Sequence, residues 1–157
     1  AAVCTEGDNL KGIRLHSQPD SSKIWQKRTL MPTPYITKQE EDVPLQMRGK
    51  EVFKFAVGAS TTEVEALLKE IGMSKSDVRF YMVHQANLRI IDAIKKYLDE
   101  PDEKFPVNIQ DHGNSSSASC AILLDECNRK GMFKPGDILV FSAFGAGLLS
   151  AAAVLEW

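Results

Sequence analysis

The chain has no apolar run near the ~18 to 20 residues that a membrane span requires. Its opening residues, Ala1-Ala2-Val3-Cys4, carry neither the basic nor the apolar region of a signal peptide. A cytoplasmic protein without membrane contact is expected. Basic blocks, aromatic-interleaved basic stripes and zinc-ligand spacings are also missing, and the net charge is −2, so nucleic acid is not an expected partner. Cysteine is scarce: Cys4, Cys120 and Cys127 are an odd number without a framework pattern, which favours free thiols in a reducing compartment. None of the three sits in a setting that looks nucleophilic. The sequence also lacks an initiator methionine and begins in what reads as a strand, as a fragment or processed product would.

What is present is ordinary in amount. At 157 residues, with 43% hydrophobic and 25% charged residues, the chain supports one soluble domain with a real core. Ala1 to Cys4 and Ile13 to His16 read as two short strands around a charged turn. Residues 17–44 hold Pro19, Pro32, Pro34 and Pro44 with an acidic run, Glu40-Glu41-Asp42, and read as a long irregular connection.

From about Leu45 the pattern turns helical. Phe53, Ala56, Val57, Ser60, Val64, Leu67, Leu68 and Ile71 recur at helical spacing over roughly 25 residues, with Gly72 as C-cap. Val78 to Val83 is a β-rich run, and Leu88 to Leu98 a second helix that Asn87 is placed to cap. A strand is expected around Val107 to Ile109. A serine run, Ser115-Ser116-Ser117, then opens a third helix packed through Cys120, Leu123, Leu124 and Cys127, which Lys130-Gly131 closes. Ile138 to Phe144 and Leu149 to Leu155 are two final strands around Gly145-Ala146-Gly147. Such alternation implies a layered α/β domain with a mixed sheet, flanking helices and a C-terminal antiparallel pair.

Two strand-to-helix junctions carry the chemistry. His84-Gln85-Ala86-Asn87 follows one expected strand, and His112-Gly113-Asn114-Ser115-Ser116 follows another thirty positions on (114 − 84). The carboxyl ends of strands in α/β sheets are where ligands bind. Taken singly, His84 reads as a core histidine satisfied by a carbonyl, and Asn114 as a helix cap. Taken together they are two neutral donors able to serve an enolate or thioester oxygen that gains charge during reaction. Phe144-Gly145-Ala146-Gly147 reads either as a glycine-assisted hairpin or as a backbone that a ligand approaches closely.

Those three segments, with Gly49-Lys50-Glu51-Val52-Phe53-Lys54 ahead of the long helix, resemble the C-terminal half of β-ketoacyl-acyl-carrier-protein synthase III. The resemblance implies a thiolase-like fold of two similar α/β halves. It implies a decarboxylating Claisen condensation that initiates fatty acid synthesis: an acyl group passes from coenzyme A to a cysteine thiolate, malonyl-acyl carrier protein loses carbon dioxide, and the enolate attacks the acyl thioester. In that scheme His84 and Asn114 hold the malonyl thioester oxygen, each worth roughly 3 to 4 kcal/mol of barrier. The backbone N–H of Ala146 helps to hold the acyl carbonyl, in a position the family often gives to glycine. Arg89 and Asn87 lie toward the carrier protein and pantetheine tunnel, and Phe144 lines the acyl pocket. Acyl-coenzyme A and the phosphopantetheine of malonyl-carrier protein enter as substrates, with no resident cofactor and no metal.

The departure from the family pattern concerns the nucleophile. The family places its cysteine in the N-terminal half, and none of Cys4, Cys120 and Cys127 aligns with it. Residues 1–44 are accordingly expected to be the tail of the N-terminal half plus the connection, and residues 45–157 the C-terminal thiolase-like domain. The partners implied are the N-terminal half of the same enzyme, acyl carrier protein and coenzyme A thioesters, with a homodimer when the enzyme is complete. Two alternatives stay open: a non-catalytic carrier-protein-binding half, and a related condensing enzyme of the polyketide or 3-hydroxy-3-methylglutaryl-coenzyme A synthase type.

Overall fold

A computed structural model describes residues 6–26, 34–35 and 44–157. The strand expected over Ala1 to Cys4, with Cys4 itself, lies outside the described residues, as does most of the proline-rich connection.

Among the described residues there are six strands and four helices: β1 (Leu10–Ser17), β2 (Ile24–Trp25), β3 (Gln46–Met47), α1 (Gly49–Glu70), β4 (Val78–Val83), α2 (Leu88–Leu98), α3 (Ile109–His112), α4 (Ser119–Arg129), β5 (Ile138–Gly145) and β6 (Leu149–Glu156). Four strands form one sheet in the order β1-β6-β5-β4; β4 and β5 are parallel, while β5–β6 and β6–β1 are antiparallel. The expected mixed sheet with an antiparallel end is therefore present. The short strand expected over Ile13 to His16 lies inside the longer β1, which pairs with β6 from Leu10↔Leu155 to Ser17↔Leu149. The two-residue strands β2 and β3 pair with each other, so the connection is not wholly irregular.

The long helix is 22 residues and takes in Gly49 to Lys54, which form its first turns rather than preceding it. Gly72 follows at φ +71, a left-handed position that suits glycine at a helix end. Ala56, Val64, Leu67 and Leu68 pack α1 onto one face of the sheet, against Val140, Ala152 and Val154. Helix α2 adds Ile90, Ile91, Ile94 and Leu98 to that layer, with Tyr81 stacked on Phe105 at 4.7 Å. On the opposite face α4 sets Leu123 and Cys127 against Phe80, Met82 and Leu139. The core thus has two layers, and β4 is buried from both sides because its alternate residues serve both.

The strand expected around Val107 to Ile109 is absent. Asn108 is buried, but its N–H donates to Gln85 Oε1 (3.1 Å) and its Nδ2 to Glu126 Oε2 (3.0 Å), and Ile109 opens the single turn α3. Side-chain hydrogen bonds hold this segment in place of a strand ladder. The third expected helix also starts later: a 3-10 turn over Ser116–Ala118 precedes α4.

Candidate functional site

His84 is the first residue past β4. Its N–H donates to Ser142 O at 2.8 Å, extending the parallel ladder by one step, so the imidazole leaves the sheet at the carboxyl end of a buried strand. Two contacts fix the half-buried ring. Nδ1 lies 2.5 Å from the hydroxyl of Ser119, and Phe144 meets the ring edge-on with centroids 5.2 Å apart and planes at 61°. Burial pushes the His84 pKa below the ordinary histidine value, which favours the neutral ring.

Asn114 lies between α3 and the turn that leads into α4. Gly113 before it takes φ +62, a left-handed turn open to glycine, and the Asn114 side-chain oxygen accepts from Ser116 N–H at 3.0 Å. Ser119, which holds His84, comes five residues later (119 − 114). The 3-10 turn over Ser116–Ala118 therefore separates one expected donor, Asn114, from Ser119, the first residue of α4 and the anchor of the other. Asn114 is exposed, and its hydrogen bond is to its own turn rather than to His84.

The other expected residues are placed as follows. Asn87 caps α2, its Oδ1 accepting from Arg89 N–H at 2.9 Å. Arg89 lies in the first turn of α2, and its side chain is exposed. Ala146 sits exposed in the β5–β6 hairpin beside Gly147 (φ +138), where an added Cβ would come within 2.9 Å of Leu149 Cγ. Phe144 leads into that hairpin and packs on both His84 and the α1-side core. His84 is in direct contact with both Ser119 and Phe144; Arg89 and Ala146 follow the carboxyl ends of β4 and β5, which run parallel.

Four residues that sequence reasoning gave no role complete the arrangement. Gln85 is buried; its Nε2 donates to Val83 O (2.8 Å), its Oε1 accepts from Asn108, and its N–H donates to Ser119 Oγ at 3.2 Å. Asn108 passes the chain of contacts to Glu126, whose other oxygen is paired with His112 Nε2. Asn108 and then His112 hold the Glu126 carboxyl below the ordinary value. Gln85, Asn108, Glu126 and His112 therefore pin the 108–114 segment between β4 and α4. Partners 14 to 35 residues apart leave no periodic trace; the one local signal was Gln85, a polar residue among apolar ones at a strand end.

The described cysteines are free, and burial raises both thiols, Cys120 and Cys127, away from the thiolate form. Among the described residues, no group of three histidine, cysteine or carboxylate side chains could hold a metal ion, and no helix is long and apolar enough to cross a membrane. A separate open groove of about 350 Å³ between β1 and α1 is lined by His16, Gln18, Lys54, Phe55, Thr62 and Glu63, and touches none of the expected site residues.

The family model described as 3-oxoacyl-[acyl-carrier-protein (ACP)] synthase III C terminal matches residues 68–157. A β-ketoacyl-[acyl-carrier-protein] synthase III of Helicobacter pylori strain Shi470 is 39% identical over 136 residues, which is 86% of this chain and 41% of that protein. Its counterpart in Caldanaerobacter subterraneus subsp. tengcongensis is 42% identical over 81% of this chain and 38% of its own length. Among solved structures, the synthase III of Thermus thermophilus matches with a TM-score of 0.84 at 36% identity, covering 98% of this chain and 47% of that one. The chain spans about two fifths of the length of the curated relatives it matches.

Proposed function

The chain belongs to the 3-oxoacyl-[acyl-carrier-protein] synthase III family, as its C-terminal domain, and from that premise we propose that it supplies the malonyl-activating side of a decarboxylating Claisen site. Acyl-coenzyme A would load a cysteine outside these residues, and malonyl-acyl carrier protein would then lose carbon dioxide. His84 and Asn114 donate to the malonyl thioester oxygen as it becomes an enolate, and the enolate carbon attacks the acyl thioester. The Ala146 N–H serves the acyl carbonyl, Phe144 bounds the acyl pocket, and Arg89 with Asn87 faces the carrier protein and its pantetheine.

One observation carries this reading: a neutral His84, at the carboxyl end of β4, is anchored to Ser119 at the start of α4, five residues after Asn114 and just past the turn that Asn114 opens. Neutral donors held in place before reaction gain more from a developing oxyanion than from a ground-state carbonyl, which is what lowers a barrier.

Activity in this account needs an N-terminal half. Two features support that. The raised thiols of Cys120 and Cys127 make both poor nucleophiles. The β1–β6 part of the sheet is also apolar on the face away from α1. Arg14 and Gly12 look toward α1, so by alternation Ile13 and Leu15 look the other way, and they are 56% and 77% exposed. Leu149, in register with Ser17, is 50% exposed beside them. Helix α4 covers only the β4–β5 part of that face.

The test joins the chain to a family N-terminal half, in one polypeptide or two, and follows acetoacetyl-carrier protein made from acetyl-coenzyme A and malonyl-carrier protein. Activity is expected only in the assembled form; activity of the 157 residues alone would refute the account of the nucleophile. Stable assembly without activity would favour a non-catalytic carrier-binding half. In the assembled enzyme, His84→Ala and Asn114→Ala are each expected to cut malonyl decarboxylation by about 10² to 10³. A near-normal rate in either variant removes that residue from the enolate role.

A further inference from the structure

The hydrogen bond between His84 and Ser119 has a direction that the surrounding donors decide. Ser119 is 1% exposed, and its hydroxyl has two partners among the described residues: Nδ1 of His84 at 2.5 Å and the backbone N–H of Gln85 at 3.2 Å. A backbone N–H can only donate, so Oγ accepts from Gln85. If Nδ1 also carried a proton, Oγ would accept twice and the serine O–H would be buried with no acceptor. Leaving a buried hydroxyl unpaired costs its full desolvation, whereas the opposite direction satisfies every group.

We infer that Ser119 is a positioning residue whose hydroxyl donates to Nδ1 of His84, so that the single ring proton of the neutral imidazole resides on Nε2. The inference rests on the function proposed above, because it specifies which atom of His84 meets the thioester oxygen. With Nδ1 filled by Ser119, Nε2–H is the one ring donor left for substrate. Ser119 aims the ring as well as setting its tautomer. It pulls the Nδ1 edge toward the start of α4, and Phe144 bears on the ring from β5.

The Gln85 N–H is itself fixed. Its side chain spans from Val83 O to Asn108 N, so the peptide cannot rotate away from Ser119 without breaking both bonds. The buried glutamine therefore sets the acceptor side of Ser119, and Ser119 in turn sets the histidine.

The experiment is a long-range 1H–15N correlation on the full 157-residue chain labelled with 15N-histidine, at a pH where His84 is neutral. Three histidines contribute, His16, His84 and His112. His84→Gln identifies the middle one by loss. A pyrrole-type Nε2 and a pyridine-type Nδ1 are expected for His84. Ser119→Ala should move both nitrogens toward the averaged values of exchanging tautomers, and Ser119→Thr should return them. A pyrrole-type Nδ1 in the wild-type chain overturns the inference, and so does an unchanged pattern in folded Ser119→Ala. Should Ser119→Ala fail to fold, the wild-type spectrum still decides the tautomer, and Ser119→Cys, with its weaker donor, is expected to show the same drift in smaller measure; no drift there also overturns it.

In the assembled enzyme, Ser119→Ala should lower kcat for malonyl decarboxylation by up to about 10²-fold with little change in KM, since a misaimed donor weakens transition-state contact more than binding. Normal decarboxylation in His84→Ala would instead sink the proposed function and leave the spectroscopic result standing. The two failures are thereby told apart.

Discussion

Tyr81 shows what burial costs when no partner is supplied. Its ring is fully buried and stacked on Phe105, yet its hydroxyl has no hydrogen-bond partner among the described residues, and burial drives its pKa up. An unpaired buried hydroxyl forfeits roughly 1 to 3 kcal/mol of desolvation. Tyr81→Phe keeps the stack and removes the orphan, so it should raise the stability of the chain by about 1 kcal/mol. Thermal or urea unfolding reads this directly, and a loss of stability would mean that the hydroxyl has a partner after all. Residues also differ in how far the sequence exposes them. The positions of His84 and Asn114 were legible because one follows an apolar strand run as a polar residue beside Gln85, and the other stands between Gly113 and Ser115 ahead of a helix. Ser119 was not, because nothing in its own neighbourhood distinguishes a buried serine from the exposed Ser116 and Ser117 beside it. Its role exists only through partners 34 and 35 residues away.

Elements with strong periodicity were legible for the same reason. The apolar stripe of α1, the run Val78 to Val83 and the pair β5–β6 declare their burial locally. Val107 to Ile109 misled because its β-branched residues at alternate positions fit a strand as well as a short buried turn. Polar partners decide which, and Asn108 is claimed by Gln85 and Glu126. That claim has a pH signature. The Glu126 carboxyl is held below its ordinary value of 4.5, by Asn108 first and then His112. A carboxyl whose folded pKa is depressed stabilises the fold above the unfolded value and loses that contribution as pH falls through the folded one. Acid should therefore loosen the 108–114 segment below about pH 4.5, by the same linkage. Amide exchange is expected to rise there first, and Glu126→Gln, which keeps the Asn108 contact but cannot ionise, should flatten the response. Equal acid sensitivity in both forms would show that the clamp is not electrostatic. In the assembled enzyme Glu126→Ala should act on rate through Asn114, leaving Arg89 and carrier-protein affinity unchanged.

At the scale of the molecule, the unusual feature is a sheet finished on one face and unfinished on the other. Fully burying one large aliphatic side chain is worth about 1.5 to 3 kcal/mol, and Ile13, Leu15 and Leu149 forgo half or more of that in the chain by itself. Contiguous apolar surface of this kind marks an interface. An N-terminal half of comparable size is the occupant proposed for it, since relatives of this family are more than twice as long as the match. Replacing Ile13 and Leu15 with lysine tests this without touching the site. Both side chains are exposed, so the double variant should fold with a Tm close to that of the parent, and two charges on an edge strand should also suppress self-pairing. Sedimentation should show the parent chain self-associating and the double variant monomeric. Mixed with the N-terminal half, the double variant should fail to assemble, because each lysine would have to lose its water against apolar surface without a counter-charge. His84, Ser119 and Asn114 would stay in place throughout, so lost condensation in that variant would report the missing partner alone. Full assembly and activity in the presence of both lysines would show that the face is not where the halves meet.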